Sequence, residues 1–290
     1  MECRLLALDL DGTVLDSRRR LPEQVARAVA GARERGIEVV LCSGRMVCSV
    51  EPYWRGLGLR TPIVGYNGAY ARRPDTSEVV FYEPVPLPLT LEVVRLARRR
   101  GLHVQTYIDD ELWVAERNDF VRRYESTYGV RARVVGDLAE ALTRPSTKVL
   151  LVVEPGEVNR VYDELRDRYR GRLFVTQSED IHVELLNRRA NKAAALEAVA
   201  RRLGVGREET VAVGDGINDI EMVRWAGVGV AVGWGKAELR AVADVVLGEG
   251  VREECLRWEP LVRFIEALEP GPAGGLRAGW DFLDRPGGGR

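Results

Sequence analysis

Lysine is scarce in this chain: of 43 basic residues in a total of 290, only Lys148, Lys192 and Lys236 are lysines, and the rest are arginines. Each lysine is therefore conspicuous. Net charge is almost absent, at a formal −1, which removes any electrostatic case for binding nucleic acid or an anionic membrane. Cysteine is sparse too. The four cysteines (Cys3, Cys42, Cys48, Cys255) show no CxxC pair, no zinc spacing and no disulfide framework. Cys3 and Cys42 lie in apolar strand-like runs and read as reduced core residues. No apolar stretch reaches the ~18 residues that a membrane span needs. Asp9 and Asp11 interrupt any apolar segment of a signal peptide, so a cytoplasmic protein is expected.

What is present suits a globular enzyme, with 46% apolar and 30% charged residues, and the length allows two domains. Short apolar runs alternate with amphipathic stretches over the first third. Strands are expected at Leu5–Leu10, Ile37–Cys42 and Pro62–Gly65, and helices at Pro22–Arg35 and Met46–Leu57. The rhythm returns late: helix Ala190–Leu203, strand Thr210–Val213, helix Asp219–Ala226, strand Val228–Val232 and helix Val251–Ala267. Continuous apolar strands alternating with helices imply a parallel sheet covered on both faces. Between the two blocks the pattern changes. A helix at Leu89–Arg100 leads to strands His103–Ile108 and Glu111–Ala115, joined by Asp109-Asp110. A further helix, a strand at Lys148–Val153, a helix at Glu157–Arg170 and a strand pair across Leu173–Leu186 follow. The expected architecture is α/β: a Rossmann-like doubly wound parallel core from residues 1–82 and 188–269, interrupted by an α+β insert at 83–187. Residues 270–290 hold ten Gly or Pro in 21 positions and read as a flexible tail.

Ligands of an open parallel sheet bind beyond the carboxyl ends of its strands, and four polar clusters fall there. The first is Asp9-Leu-Asp11-Gly12-Thr13, directly after Leu5-Leu6-Ala7-Leu8. Burying an ionised carboxylate costs several kcal/mol or more unless it is paired or metal-bound, so two of them at a strand end read as a site rather than a turn. An aspartate there can attack phosphorus, and a second acid two residues on can protonate the leaving alkoxide and then activate water. The second cluster is Ser43-Gly44-Arg45, whose hydroxyl and backbone N–H groups at a strand-to-helix turn suit a phosphate; a plain helix N-cap is the simpler reading of the same residues. The third is Asn191-Lys192, a cation at a helix start where the dipole disfavours it. A solvated surface lysine is the alternative. The fourth, Gly214-Asp215-Gly216-Ile217-Asn218-Asp219, supplies more carboxylates, and Asp9 and Asp215 together suit a hard cation such as Mg²⁺.

Together DLDGT, SGR, NK and GDGIND, with Tyr66-Asn67-Gly68-Ala69 after the third strand, resemble the haloacid dehalogenase superfamily of phosphatases, in its Cof-type branch with a large α/β cap. The resemblance spans nearly all of residues 3–268. It implies Asp9 as nucleophile and Asp11 as general acid/base, with Ser43, Gly44, Lys192 and Asn218 on the phosphoryl group. It also implies Mg²⁺ held by Asp9, the Asp11 backbone carbonyl and Asp215, with Asp219 supporting the metal or Lys192. Arg45 and Asn67 are weaker carry-overs, and Asn67-Gly68 equally suits a tight hairpin turn. An acid at position 11 favours hydrolysis or mutase chemistry over the ATPases of the superfamily, which place Thr there. The chain departs from the pattern at Ala193, where Gly is usual, and at Gly233-Trp234-Gly235, where Gly-Asn-Ala is usual. Trp234 then either narrows the pocket or packs on the surface.

The insert carries 16 Lys/Arg and 18 Asp/Glu, so it is no basic clamp for polyanions. Alternation along Ile181–Leu185 puts His182 and Glu184 on one face, either toward the substrate or toward solvent. The expected function is Mg²⁺-dependent hydrolysis of a small phosphorylated metabolite, with a sugar phosphate the favoured class, through an aspartyl phosphate. A phosphosugar mutase and a non-catalytic metabolite-binding regulator are the alternatives. No nucleic acid or membrane partner is expected, and the sequence sets no oligomeric state.

Overall fold

The computed structural model describes residues 2–177, 181–250 and 258–271. Two large sheets carry most of the strands among the described residues. The larger has eight strands in the order Val245–Leu247, Val228–Val232, Thr210–Gly214, Leu5–Asp9, Glu38–Cys42, Ile63–Gly65, Tyr70–Arg72 and Val79–Tyr82. The first six run parallel. Alternate residues of the central strands enter different cores. Leu6, Leu8, Val39 and Leu41 pack with Val25 and Val29 of the helix Glu23–Glu34. Leu5, Ala7, Val40 and Cys42 pack with Leu196 and Val199 of the helix Lys192–Leu203. Each side chain fully removed from water there contributes about 1.5–3 kcal/mol, and both faces are covered, as continuous apolar strands require.

The last two strands of this sheet correct the purely parallel expectation. Tyr70–Arg72 and Val79–Tyr82 pair antiparallel, because a turn at 66–68 sends the chain straight back instead of through a crossover helix. A two-stranded ribbon was also not anticipated: Glu2–Cys3 pairs with Glu269–Pro270. The described part of the expected last helix is Glu259–Glu266; its residues 251–257, and the tail beyond Gly271, lie outside the described residues.

The second sheet has six strands, in the order Leu173–Gln177, His182–Asn187, Val149–Val152, His103–Ile108, Glu111–Val114 and Ala132–Val134. One face buries Val149, Leu151, Val183 and Leu185 under the helices Leu87–Arg99 and Val158–Arg168. By the two-residue period of a strand, Lys148, Leu150, His182, Glu184 and Tyr107 occupy the other face. That face looks at the larger sheet, since Leu150, Leu186 and Tyr107 share a core cluster with Leu8 and Leu41.

Candidate active site

Register brings the sequence clusters together. Leu8 sits opposite Val213 and Asp9 opposite Cys42, while Cys42 sits opposite Val64. The carboxyl ends of four strands therefore lie side by side, and the loops carrying Asp9, Ser43, Asn67 and Asp215 all leave the sheet at one rim.

Lys192 is the first residue of its helix, whose N-cap Asn191 accepts a hydrogen bond from the Ala194 N–H. The surface reading of this lysine is corrected, because its side chain is 0% exposed. Its Nζ donates to Asp9 Oδ1 and to Asp219 Oδ1, both at 2.6 Å. Asp219 Oδ2 accepts from the N–H groups of Asp215 and Gly216, at 3.1 and 2.9 Å, which fixes the GDGIND loop. Asp215 Oδ1 accepts from the Thr13 hydroxyl at 3.3 Å. Gly12 makes room for that approach: a Cβ there would lie 2.3 Å from Asp215 Oδ2, and its φ of +81° suits glycine.

Asp9, Asp215 and Asp219 each offer a carboxylate oxygen within 4.8 Å of the others. Three carboxylates and one lysine leave the buried cluster with a formal surplus of two negative charges. Burial alone would lower Lys192, but Asp219 and Asp9 overcome it and hold the ammonium well above the ordinary lysine range. The surplus shows on the acids. Burial, aided by Asp219 and Asp215 and opposed by Lys192, pushes Asp9 well above the usual carboxylate range. Burial and then Asp219 push Asp215 up to about 6. Asp9 Oδ2 is buried with no hydrogen-bond partner among the described residues. An orphaned anionic oxygen, an all-oxygen donor set and a surplus of two charges fit a hard divalent cation.

Asp11 lies on the open side, half exposed, gripped in a fork by Arg45, whose Nε donates to Oδ2 at 2.7 Å and whose Nη2 donates to Oδ1. Arg45 also stacks over the rings of Tyr53 and Tyr128. The structure thus places Arg45 on Asp11, where sequence reasoning had assigned it to phosphate. The Ser43 hydroxyl accepts from the Arg45 N–H at 3.2 Å, the geometry of a turn that shapes this loop. Asn67, φ +53°, lies in a turn that joins two antiparallel strands, and its side chain lines the cavity. It donates to Glu184 Oε2 at 3.0 Å and accepts from Asn218 Nδ2 at 2.9 Å. Trp234 donates from Nε1 to the Gly12 carbonyl at 2.6 Å and meets Trp258 edge-on, so it buttresses the loop after Asp11.

A cavity of ≈ 480 Å³ opens over these groups, walled by Asp9, Asp11, Gly44, Arg45, Asn67, Asp215 and Asn218 from the larger sheet. Across from them stand Tyr124, Tyr128, Lys148, Gln177, His182 and Glu184. The solvent-facing reading of His182 and Glu184 is overturned, since they are 7% and 2% exposed and Glu184 touches Asn67. Lys148 is the residue that sequence reasoning left without a role. Its Nζ lies 3.0 Å from Glu184 Oε1, donates to the Gly44 carbonyl at 3.3 Å, and sits over the Tyr107 ring at 5.2 Å. Lysine scarcity was the available signal: Lys148 and Lys236 both line the cavity, and Lys192 lies on Asp9.

Residues 6–250 match the model of the haloacid dehalogenase-like hydrolases. The chain belongs to that family, and within it to the Cof-type phosphatases. It is 30% identical over 246 residues to the 5-amino-6-(5-phospho-D-ribitylamino)uracil phosphatase YitU of Bacillus subtilis, covering 83% of this chain and 90% of that one. It is 27% identical to the pyridoxal phosphate phosphatase YbhA of Escherichia coli, covering 89% and 98%. A crystal structure of a haloacid dehalogenase-like hydrolase from Bacteroides thetaiotaomicron superposes with a TM-score of 0.81 at 28% identity, over 91% of this chain and 99% of that one. Among the described residues no helix is long and apolar enough to cross a membrane.

Proposed function

We propose that the chain is a cytoplasmic Mg²⁺-dependent phosphatase of a small phosphorylated metabolite, with a sugar phosphate the favoured class, acting through an aspartyl phosphate. The observation that carries this reading is the buried Asp9, held by Lys192 at 2.6 Å with one oxygen unpartnered at the cavity floor. Asp9 attacks phosphorus, the bond from phosphorus to the ester oxygen breaks, and Asp11 delivers a proton to the departing alkoxide. Asp11 then takes a proton from water, which attacks the aspartyl phosphate and returns Asp9 and inorganic phosphate. For both steps one Asp11 oxygen leaves the Arg45 fork. Lys192 places positive charge beside the transferring group. Asp9, the Asp11 carbonyl and Asp215 would hold Mg²⁺, with Asp219 bracing Lys192 and the loop behind. When bound, that ion supplies charge neutralisation at the phosphoryl oxygens.

Ser43, the Gly44 backbone and Asn218 would hold the phosphate, with residues 83–187 acting as the cap. His182, Glu184 and Lys148 then meet the carbon part of the substrate. The two curated relatives are named for phosphomonoesters with different carbon skeletons, so phosphate is the shared element and the cap makes the choice. Assay with p-nitrophenyl phosphate tests the reading. Turnover with Mg²⁺, its loss in EDTA and a drop of at least about a thousand-fold in Asp9→Asn are expected; an Asp9→Asn variant of undiminished activity would sink the mechanism.

A further inference from the structure

We propose that Asp110 is a positioning latch: its carboxylate seats residues 83–187 on the larger sheet and, through that contact, orders the two loops that carry Ser43-Gly44-Arg45 and Asn67. The kinetic part of this inference rests on the phosphatase reading; the structural part does not.

The helix Val47–Gly56 begins directly behind the Ser43 loop, and its N-cap residue, Met46, makes no side-chain capping bond. The first N–H groups of a helix need acceptors from elsewhere, and methionine supplies none. Here they come from far along the chain. The Val47 N–H donates to Asp110 Oδ1 at 3.0 Å and the Cys48 N–H to Oδ2 at 2.8 Å. The Tyr66 hydroxyl donates to the same Oδ1 at 2.7 Å, and Arg72 Nη2 lies 3.6 Å from Oδ2.

Asp110 sits in the two-residue turn between His103–Ile108 and Glu111–Val114, with φ of 52° at Asp109 and 63° at Asp110. Turns of this kind favour glycine or asparagine. The two aspartates differ in use. Asp109 is exposed and pairs with Arg144 at 2.6 Å, whereas Asp110 is buried against the opposite sheet.

The two loops touched by Asp110 are also tied to each other. The Tyr66 N–H donates to the Arg45 carbonyl at 2.8 Å and the Asn67 N–H to the Ser43 carbonyl at 3.0 Å. Tyr66 and Asn67 have φ of 52° and 53°, a conformation that persists only when its surroundings hold it. Tyr66 is held by its hydroxyl on Asp110 and by its ring, edge-on to Tyr107 at 5.5 Å. Lifting the cap hairpin removes both restraints together, and takes from the helix start the acceptor that Met46 does not replace. Seating of the cap and order at the site are thereby one event.

Amide hydrogen exchange on the full chain, with kcat and KM for p-nitrophenyl phosphate and for pyridoxal phosphate, tests the latch. Asp110→Ala is expected to speed exchange at residues 47–48 and 66–68 by about tenfold or more, with strands Leu5–Asp9 and Thr210–Gly214 unchanged. KM for whichever ester is turned over should rise by a larger factor than kcat falls. Asp109→Asn, which breaks only the surface pair, should match the wild type in both readouts. Wild-type exchange at those two segments in Asp110→Ala overturns the proposal, as does general loss of protection in step with lowered stability. Should Asp110→Ala fail to fold, Tyr66→Phe decides, and unchanged exchange at 66–68 overturns it. A wild-type protein inactive on every phosphomonoester defeats the phosphatase reading and leaves the exchange arm to judge the latch.

Discussion

Two buried lysines serve this cavity, Lys148 in its wall and Lys192 behind Asp9, and their surroundings differ in kind. Lys192 belongs to the larger sheet's side and bridges two carboxylates at 2.6 Å, Asp9 and Asp219, with Asp215 nearby. Its charge is outnumbered. Lys148 belongs to the smaller sheet and pairs with one carboxylate, Glu184, while its remaining contacts are a carbonyl and aromatic faces. Its charge is matched. An outnumbered cation leaves anionic oxygen available for a metal and a phosphoryl group, whereas a matched pair presents a neutral, directional polar surface suited to reading hydroxyl or amide groups. On the proposed phosphatase reading, the first wall would carry the chemistry and the second the selection.

Lys192→Met attacks the first wall and should have the largest effect. It strands Asp9 and Asp219 as buried unpaired acids, at a cost of about 3–5 kcal/mol, and should lower kcat by at least about 10²–10³. Denaturant titration across pH checks the electrostatic part. Acids whose pKa is raised on folding bind more protons in the folded state, so the variant should regain stability as pH falls; a pH-independent deficit would point to packing instead. Asp11→Asn comes next. It should slow turnover of an alkyl phosphate by about 10²–10⁴, and p-nitrophenyl phosphate less, since nitrophenolate leaves without a proton. Equal losses on both esters would remove Asp11 from the acid role.

Lys148→Met tests the second wall. KM for a substrate with a polar carbon part should rise about tenfold, as expected for one lost hydrogen bond to a charged group, and the effect on p-nitrophenyl phosphate should be smaller. The smallest effect is expected from the double replacement Lys148→Met with Glu184→Leu. Removing both members of a buried pair is often neutral to stability or mildly stabilising, so the melting temperature should hold while selectivity is lost. A large drop would instead make the pair a structural tie between the sheets.

The two walls also differ in how far they could be read from the chain. Asp9, Asp215 and Lys192 announce themselves locally, because a carboxylate at the end of an apolar strand, or a lysine at a helix start, is anomalous against its immediate neighbours. Ser43 and Arg45 were legible as a loop but not as a contact, since Arg45 turns to Asp11, 34 positions away. Lys148 and Asp110 offered only composition and a turn signal. Their partners lie 36 to 104 positions distant, and no local period encodes such a meeting. The strand face of His182 and Glu184 was correctly paired by alternation, but which way it looks depends on what packs against it.

Hydrophobic period and strand-end polarity are short-range properties, so the sequence by itself determined the α/β alternation, the interruption of the core and the acids that gather at the cavity floor. Only the tertiary structure decided which cap residues meet that floor, that Asp110 caps a helix of the opposite sheet, and that Arg45 serves Asp11. Those outcomes depend on how two sheets dock, and docking is set by the summed shape and burial of whole faces rather than by any single stretch of chain.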